Sequence, residues 1–223
     1  MLKIFTVAFF GHRYIDNPFK VEELIEEQIR KFINEKEYVD FIVGRNGEFD
    51  QCVSSTVLRV RKNYRDDNSS LVLMLPYPTV EYINNQNYFE DYYSDIEISY
   101  AASKAHPKAA IQIRNREMVD RADLIICYIE HNEGGAYKTV KYASEHNKPI
   151  INLADFVDDW KGEEKMKVFK FIVVCILTLI TIQTAYYALL YKVQIATGTF
   201  FICLGITLFV ACDGGLERNK KTK

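Results

Sequence analysis

From Lys3 to Phe9 the chain runs KIFTVAF, β-branched and aromatic, and stops at Gly11-His12-Arg13. This pattern predicts a buried first strand entering a functional turn. Asn17-Pro18 supplies a helix cap with proline at the first helical position. Val21, Leu24, Ile25, Ile29, Phe32 and Ile33 then recur at helical spacing among glutamates and lysines. A second strand, Tyr38 to Val43, enters Gly44-Arg45-Asn46-Gly47-Glu48-Phe49-Asp50 and is followed by an amphipathic helix with Val53, Val57, Val60 and Tyr64 on one face. Ser69 to Leu75 reads as a third strand, stopped by Pro76-Tyr77-Pro78. Residues 79 to 105 accumulate Tyr, Asn and acidic side chains without clear periodicity, and so long a connection is expected to be functional, as a lid. Ile113 to Ala122 predicts a helix, and Asp123 to Ile129 is the most continuously apolar strand of this part. The loop His131 to Gly135 opens a helix through Ala136, Val140 and Ala143, and Lys148 to Leu153 is a short fifth strand. Such alternation predicts an α/β, Rossmann-like, open and mostly parallel sheet with helices on both faces.

The pattern changes at Phe171. Residues 171–190 and 195–212 carry no formal charge, and about twenty helical residues match a hydrocarbon core of roughly 30 Å. The link Tyr191-Lys192-Val193-Gln194 permits only a tight reversal, so the expectation is a transmembrane hairpin of two antiparallel helices. Tyr186, Tyr187 and Tyr191 stand where an interfacial aromatic belt belongs. Lys161, Lys165, Lys167 and Lys170 precede the first span, and Arg218, Lys220, Lys221 and Lys223 follow the second. By the positive-inside rule both termini and the soluble domain face the cytoplasm, with the chain multi-pass in the inner (cytoplasmic) membrane. The expected organisation is a nucleotide-binding domain over 1–158, a basic juxtamembrane linker over 159–170, the hairpin over 171–212 and a basic cytoplasmic tail over 213–223. Small and weakly polar residues in the spans, such as Thr178, Thr181, Gly198 and Gly205, favour helix association and a homo-oligomer.

Composition adds mainly exclusions. The formal net charge of −2 over 223 residues gives no global push toward nucleic acid, and none is expected as a partner. The 5 cysteines are odd in number and without CxxC or Cys/His spacing, so they imply neither a disulfide framework nor a metal. No cofactor is indicated.

The chemistry is expected beyond the carboxyl ends of the strands, where open parallel sheets bind ligands. Gly11, His12 and Arg13 end the first strand, Gly44, Arg45, Asn46 and Gly47 the second, and Glu133, Gly134 and Gly135 follow the most apolar one. Glycine lets backbone N–H groups approach a phosphate, the following helix points its positive end there, and arginine adds a bidentate donor. Asp50 starts a helix, where N-capping and ligand binding are alternatives. Lys138 adds positive charge to the first turn of its helix, with a solvated face as its alternative. Neither GxGxxG nor a Walker motif is present.

In that order, FFGHR at 9–13, GRNGEFD at 44–50, RNREMVDRADLIICYI at 114–129 and EGGAYKTVKYA at 133–143 resemble the SLOG superfamily in its YpsA-like branch. The resemblance implies a Rossmann-like fold and a nucleotide or nucleotide-derived ligand. Its enzymatic relatives are the Lonely Guy phosphoribohydrolases, whose R-x-x-x-M motif is matched by Arg114 to Met118, which implies Arg114 as catalytic residue if the chain is an enzyme. Their PGGxGTxxE motif is not matched after Gly134-Gly135: the proline and the glutamate are missing. An oxocarbenium-like transition state needs an anionic partner and an acid or base, so the departure favours a membrane-anchored sensor of a small nucleotide ligand, with the hairpin as membrane effector in a prokaryotic conflict system. The alternatives are a membrane-tethered nucleoside monophosphate phosphoribohydrolase and a membrane-anchored scaffold with a vestigial pocket.

Overall fold

The computed structural model describes residues 3–191. The chain divides into two compact units, Met1–Val157 and Asp158–Lys223. In the first, strands β1 (Ile4–Gly11), β2 (Tyr38–Val43), β3 (Ser69–Leu75), β4 (Asp95–Ile98), β5 (Leu124–Tyr128) and β6 (Ile150–Asn152) form one sheet in the order β4-β3-β2-β1-β5-β6. Every pairing is parallel, from Ile4 beside Tyr38 to Ile125 beside Ile150. The expected Rossmann-like α/β architecture is thus present.

Alternate residues of the central strands feed two cores, because successive side chains on a strand point to opposite faces. Val7, Phe9, Phe41 and Ile126 pack on one face with Ile25 and Ile29 of α1 (Pro18–Glu35) and Val53 and Val57 of α2 (Glu48–Asn63). Ala8, Phe10, Ile42 and Cys127 pack on the other with Met118 and Val119 of α6 (Pro107–Arg121) and Ala143 of α7 (Gly134–Glu145). Helix α1 begins as its sequence predicts: Asn17 accepts from the Lys20 N–H, and Pro18 occupies the first turn.

The segment expected as a lid is instead structured. It holds α3 (Val80–Asn84), α4 (Gln86–Tyr92), β4 and α5 (Tyr100–Ser103), and β4 extends the sheet beside β3 with Val72 opposite Asp95. Phe89 and Tyr93 are buried in the first core and fasten the segment to it.

Helix α8 (Leu153–Tyr191) runs unbroken for 39 residues, so residues 159–170, expected as a linker, are helical. Among the described residues one helical stretch, Met166–Tyr187, is long and apolar enough to cross a membrane. The second expected span, 195–212, lies outside the described residues, and the hairpin with it.

Candidate functional site

Strand β1 has β2 on one side and β5 on the other, so the chain's path across the sheet reverses there. The loops leaving the carboxyl ends part at such a reversal and leave a crevice. A cavity of about 450 Å³ lies there. Its walls come from the loops after β1 and β2, the start of α7 and one face of α6.

Most of the residues expected at the site meet in this cavity. Gly11, His12 and Arg13 form one wall; Gly44, Asn46, Gly47 and Asp50 form a second; Gly134 and Gly135 form a third, and Arg114 reaches in from α6. Arg45, Glu133 and Lys138 do not line it. Arg45 turns to the opposite side of its loop, where its guanidinium lies 4.6 Å from the centre of the Phe89 ring. It donates to Glu81 at 2.8 Å and to the Tyr93 hydroxyl at 3.1 Å. Lys138 is exposed in α7.

Gly44 has no room for a side chain. A Cβ there would sit 2.5 Å from Nη1 of Arg114 and 2.9 Å from Oδ2 of Asp50. The end of β2 is therefore the point where these two charged groups approach the backbone. Arg114 is only 2% exposed. Its Nη1 donates to the Met74 carbonyl at 3.0 Å, while its Nε is buried without a hydrogen-bond partner. Burial depresses its pKa, and the charge of Asp50 opposes the shift. Asp50 accepts from the Asn46 N–H at 2.8 Å. Burial pushes its carboxyl above the ordinary range, against the Asn46 N–H and Arg114. Of its alternatives, N-capping is set aside, since Gly47 is the N-cap of α2.

Three helices start at the cavity: α6, where the His106 side chain accepts from the Lys108 N–H, and α2 and α7, with Gly47 and Glu133 as N-caps and no side-chain cap bond on either. In α2 the Glu48 N–H donates to the Arg13 carbonyl at 2.9 Å, and no capping side chain occupies the remaining first-turn N–H groups of α2 and α7. Gly134 has φ +88, which favours glycine at the entry to α7. Across the crevice the His12 and His131 rings stack at 5.4 Å, and the His131 N–H donates to Nε2 of His12 at 3.2 Å. Burial, then the charge of His131, holds the His12 pKa below its ordinary value.

Sequence reasoning missed Lys108, Ile111, Gln112 and Asn115 of α6, which line the fourth wall. Their spacing of i, i+3, i+4 and i+7 puts them on one helix face, and His106-Pro107 marks the helix start. That face mixes a cation, an amide and an aliphatic residue, so hydrophobic periodicity does not reveal it. Gln112 donates to the Gly135 carbonyl at 3.3 Å and Asn115 to the Thr139 hydroxyl at 3.0 Å, which ties α6 to α7.

Chemically the cavity suits an anion. Two helix N-termini without a capping side chain open on it, and Arg13 and Lys108 are exposed cations in its lining. Burial pushes the thiols of Cys52 and Cys127 up to about 11 and about 12, so neither is an activated nucleophile. Among the described residues no cluster of metal-ligating side chains occurs.

No family model matches the chain, and no curated protein does. Two solved structures similar to it are both DNA processing protein A. The Helicobacter pylori protein, described for its single-stranded DNA binding mode, aligns with a TM-score of 0.47 and 15% identity over 66% of this chain and 63% of its own. The Streptococcus pneumoniae protein aligns with a TM-score of 0.49 and 15% identity over 66% of this chain and 49% of its own. This chain thus spans less than two thirds of either, and at that identity the likeness says nothing of which residues act.

These findings correct the expected SLOG, YpsA-like membership, which no family model supports. The small-nucleotide sensor, its phosphoribohydrolase alternative and the exclusion of a nucleic-acid partner fall with it. The physical reason is that glycine and arginine after parallel strands build a phosphate cradle whatever the phosphate belongs to. A net charge of −2 is likewise an average and does not record that Arg13 and Lys108 line one cavity.

Proposed function

We propose that the carboxyl edge of the sheet holds the phosphodiester backbone of a single-stranded nucleic acid, and that the apolar stretch of α8 keeps the protein at a membrane. The observation that carries the first part is the pairing of this anion cradle with exposed rings. Tyr14 and Phe19, just beyond Arg13, are 72% and 84% exposed. Strand-binding surfaces combine a cationic groove for the backbone with aromatic faces for unstacked bases, and a duplex keeps its bases stacked. Single-stranded DNA is also what the Helicobacter pylori protein is described as binding, at a likeness too coarse to carry weight. The second part is supported by Phe171, Leu179 and Ile182 of α8, which are exposed, and the lysines before them, Lys167 and Lys170, favour a sheet on the cytoplasmic side by the positive-inside rule.

The test is fluorescence anisotropy of a labelled oligo(dT) with the full chain in detergent micelles, over a salt series. Affinity is expected to fall log-linearly with salt, by a slope of about −0.7 per neutralised phosphate. Arg13→Ala combined with Lys108→Ala should flatten that slope by about 0.7 for each lost contact. Equal binding of a duplex of the same length, or full competition by a mononucleotide at the same phosphate concentration, would overturn the reading.

A further inference from the structure

A second cavity, of about 470 Å³, lies on the other side of the β2–α2 loop. That loop is a shared wall: Gly44, Asn46 and Gly47 face the first cavity, whereas Arg45 faces only the second. Across from it stands α4, whose aromatic residues form two stripes. Phe89 and Tyr93 are buried in the core. Tyr88 and Tyr92, at i and i+4, form a pair with ring centres 5.7 Å apart; Tyr92 is half-buried and Tyr88 is 54% exposed. Core packing explains the first stripe and part of the second, since Tyr92 also packs against the core, and it leaves the exposed ring of Tyr88 unexplained.

The two cavities differ in charge. The first offers exposed cations and helix N-termini. The second is walled by tyrosines, Gln51, Ser55 and the carboxylate of Glu48, which accepts from the Ile15 N–H at 3.1 Å. Its one arginine, Arg45, already holds Glu81 and the Tyr93 hydroxyl and sits over the Phe89 ring. A phosphate would meet Glu48 and find Arg45 engaged. An uncharged planar ring would meet stacking faces and amide and hydroxyl partners instead.

We infer that the tyrosine cavity is a nucleobase subsite, taking unpaired bases of a strand whose phosphates lie in the first cavity, with Tyr88 and Tyr92 as the stacking faces. This rests on the strand-binding reading above. The Arg45–Glu48 stretch then separates backbone from bases, with phosphates on its cationic side and bases on its aromatic side. Stacking is indifferent to which base is present because every base has a π-face, so the subsite recognises single-strandedness rather than sequence.

Two strands of equal length and charge separate this inference from its parent: oligo(dT) and a fully abasic strand, each titrated by anisotropy against the full chain in micelles. Wild type should bind oligo(dT) roughly tenfold more tightly than the abasic strand, given the usual worth of a base stacked on an aromatic ring. Tyr88→Ala with Tyr92→Ala should bring oligo(dT) most of the way to the abasic affinity, the remainder being carried by Tyr14 and Phe19, while leaving abasic binding and its salt slope unchanged. Tyr88→Phe should restore the preference. Because Tyr92 is half-buried, Tyr88→Ala alone serves as a second variant and should erase part of the preference. Equal binding of both strands by wild type overturns the base subsite and leaves the phosphate cradle standing, as does a preference undiminished in the double variant. Absence of binding to either strand removes both.

Discussion

The central sheet and the apolar stretch of α8 use the same residue types to opposite ends. Val7, Phe41 and Ile126 are fully buried between two helical layers, while Phe171, Leu179 and Ile182 present most of their surface outward. A β-strand alternates its faces, so a run of apolar residues supplies two cores at once and calls for cover on both sides. A helix apolar all round has no polar face to turn to water. The difference teaches that hydrophobicity alone does not say where a segment is buried: the sheet unit brings its own cover, and α8 needs an apolar medium or partner from outside.

The strongest test of that contrast is a matched pair of truncations. Phe41→Ala should destabilise the sheet unit by about 3–5 kcal/mol, whereas Leu179→Ala should leave it within about 0.5 kcal/mol. Chemical denaturation of the full chain in micelles, followed by circular dichroism, measures both, and comparable losses would break the contrast. Next comes Ile180→Lys, at the middle of the exposed stretch. A charge at a membrane-helix centre costs about 2.5–3.5 kcal/mol, so alkaline extraction of membranes should release the variant and retain the parent. Equal retention would mean that protein, and not lipid, covers this helix.

The third test moves to the edge of the sheet. Gly44→Ala forces a methyl against Arg114 and Asp50 and should cost about 1–3 kcal/mol, as overpacking does. A drop in melting temperature together with weaker oligo(dT) binding is expected; unchanged values in both would mean that these side chains move aside freely. The smallest effect concerns His12. Because its folded pKa is lowered, the stability it contributes is complete above its unfolded value and is lost as pH falls through the folded one. His12→Asn should therefore flatten the acid side of the stability profile and leave the alkaline side alone. Denaturant midpoints between about pH 8 and about pH 5 span the titration of histidine.

Legibility followed burial. Strands β1, β2, β3 and β5 announce themselves as apolar runs because both faces are covered. Strand β4 reads Asp95-Ile96-Glu97-Ile98, and as an edge strand with one neighbour it carries acidic residues that mask it. The same rule divides the site. Gly11, Gly44 and Gly134-Gly135 follow strands directly, so their place at the carboxyl edge could be read from local order. Lys108, Gln112 and Asn115 belong to a helix whose approach to that edge depends on its packing against the sheet, and no local pattern records this. Arg45 shows the converse: it sits in the expected loop, but its neighbours turn it away, because Glu81, Tyr93 and Phe89 of the segment expected as a lid form its partners.

The sequence by itself determined the parallel α/β sheet, the loops that bear the glycines and arginines, and the abrupt change to uncharged stretches from Phe171. These depend on periodicity and on residue types adjacent in the chain. Only the tertiary structure decided which side of the β2–α2 loop each residue faces, that Arg114 and Asp50 converge on Gly44, and that Tyr88, exposed, and Tyr92, half-buried, stand together at a second cavity. Those facts depend on contacts between residues distant in the chain, such as Gly44 with Arg114 and Arg45 with Phe89. Such contacts arise when helices pack on a sheet, and neither residue's chain neighbours encode them.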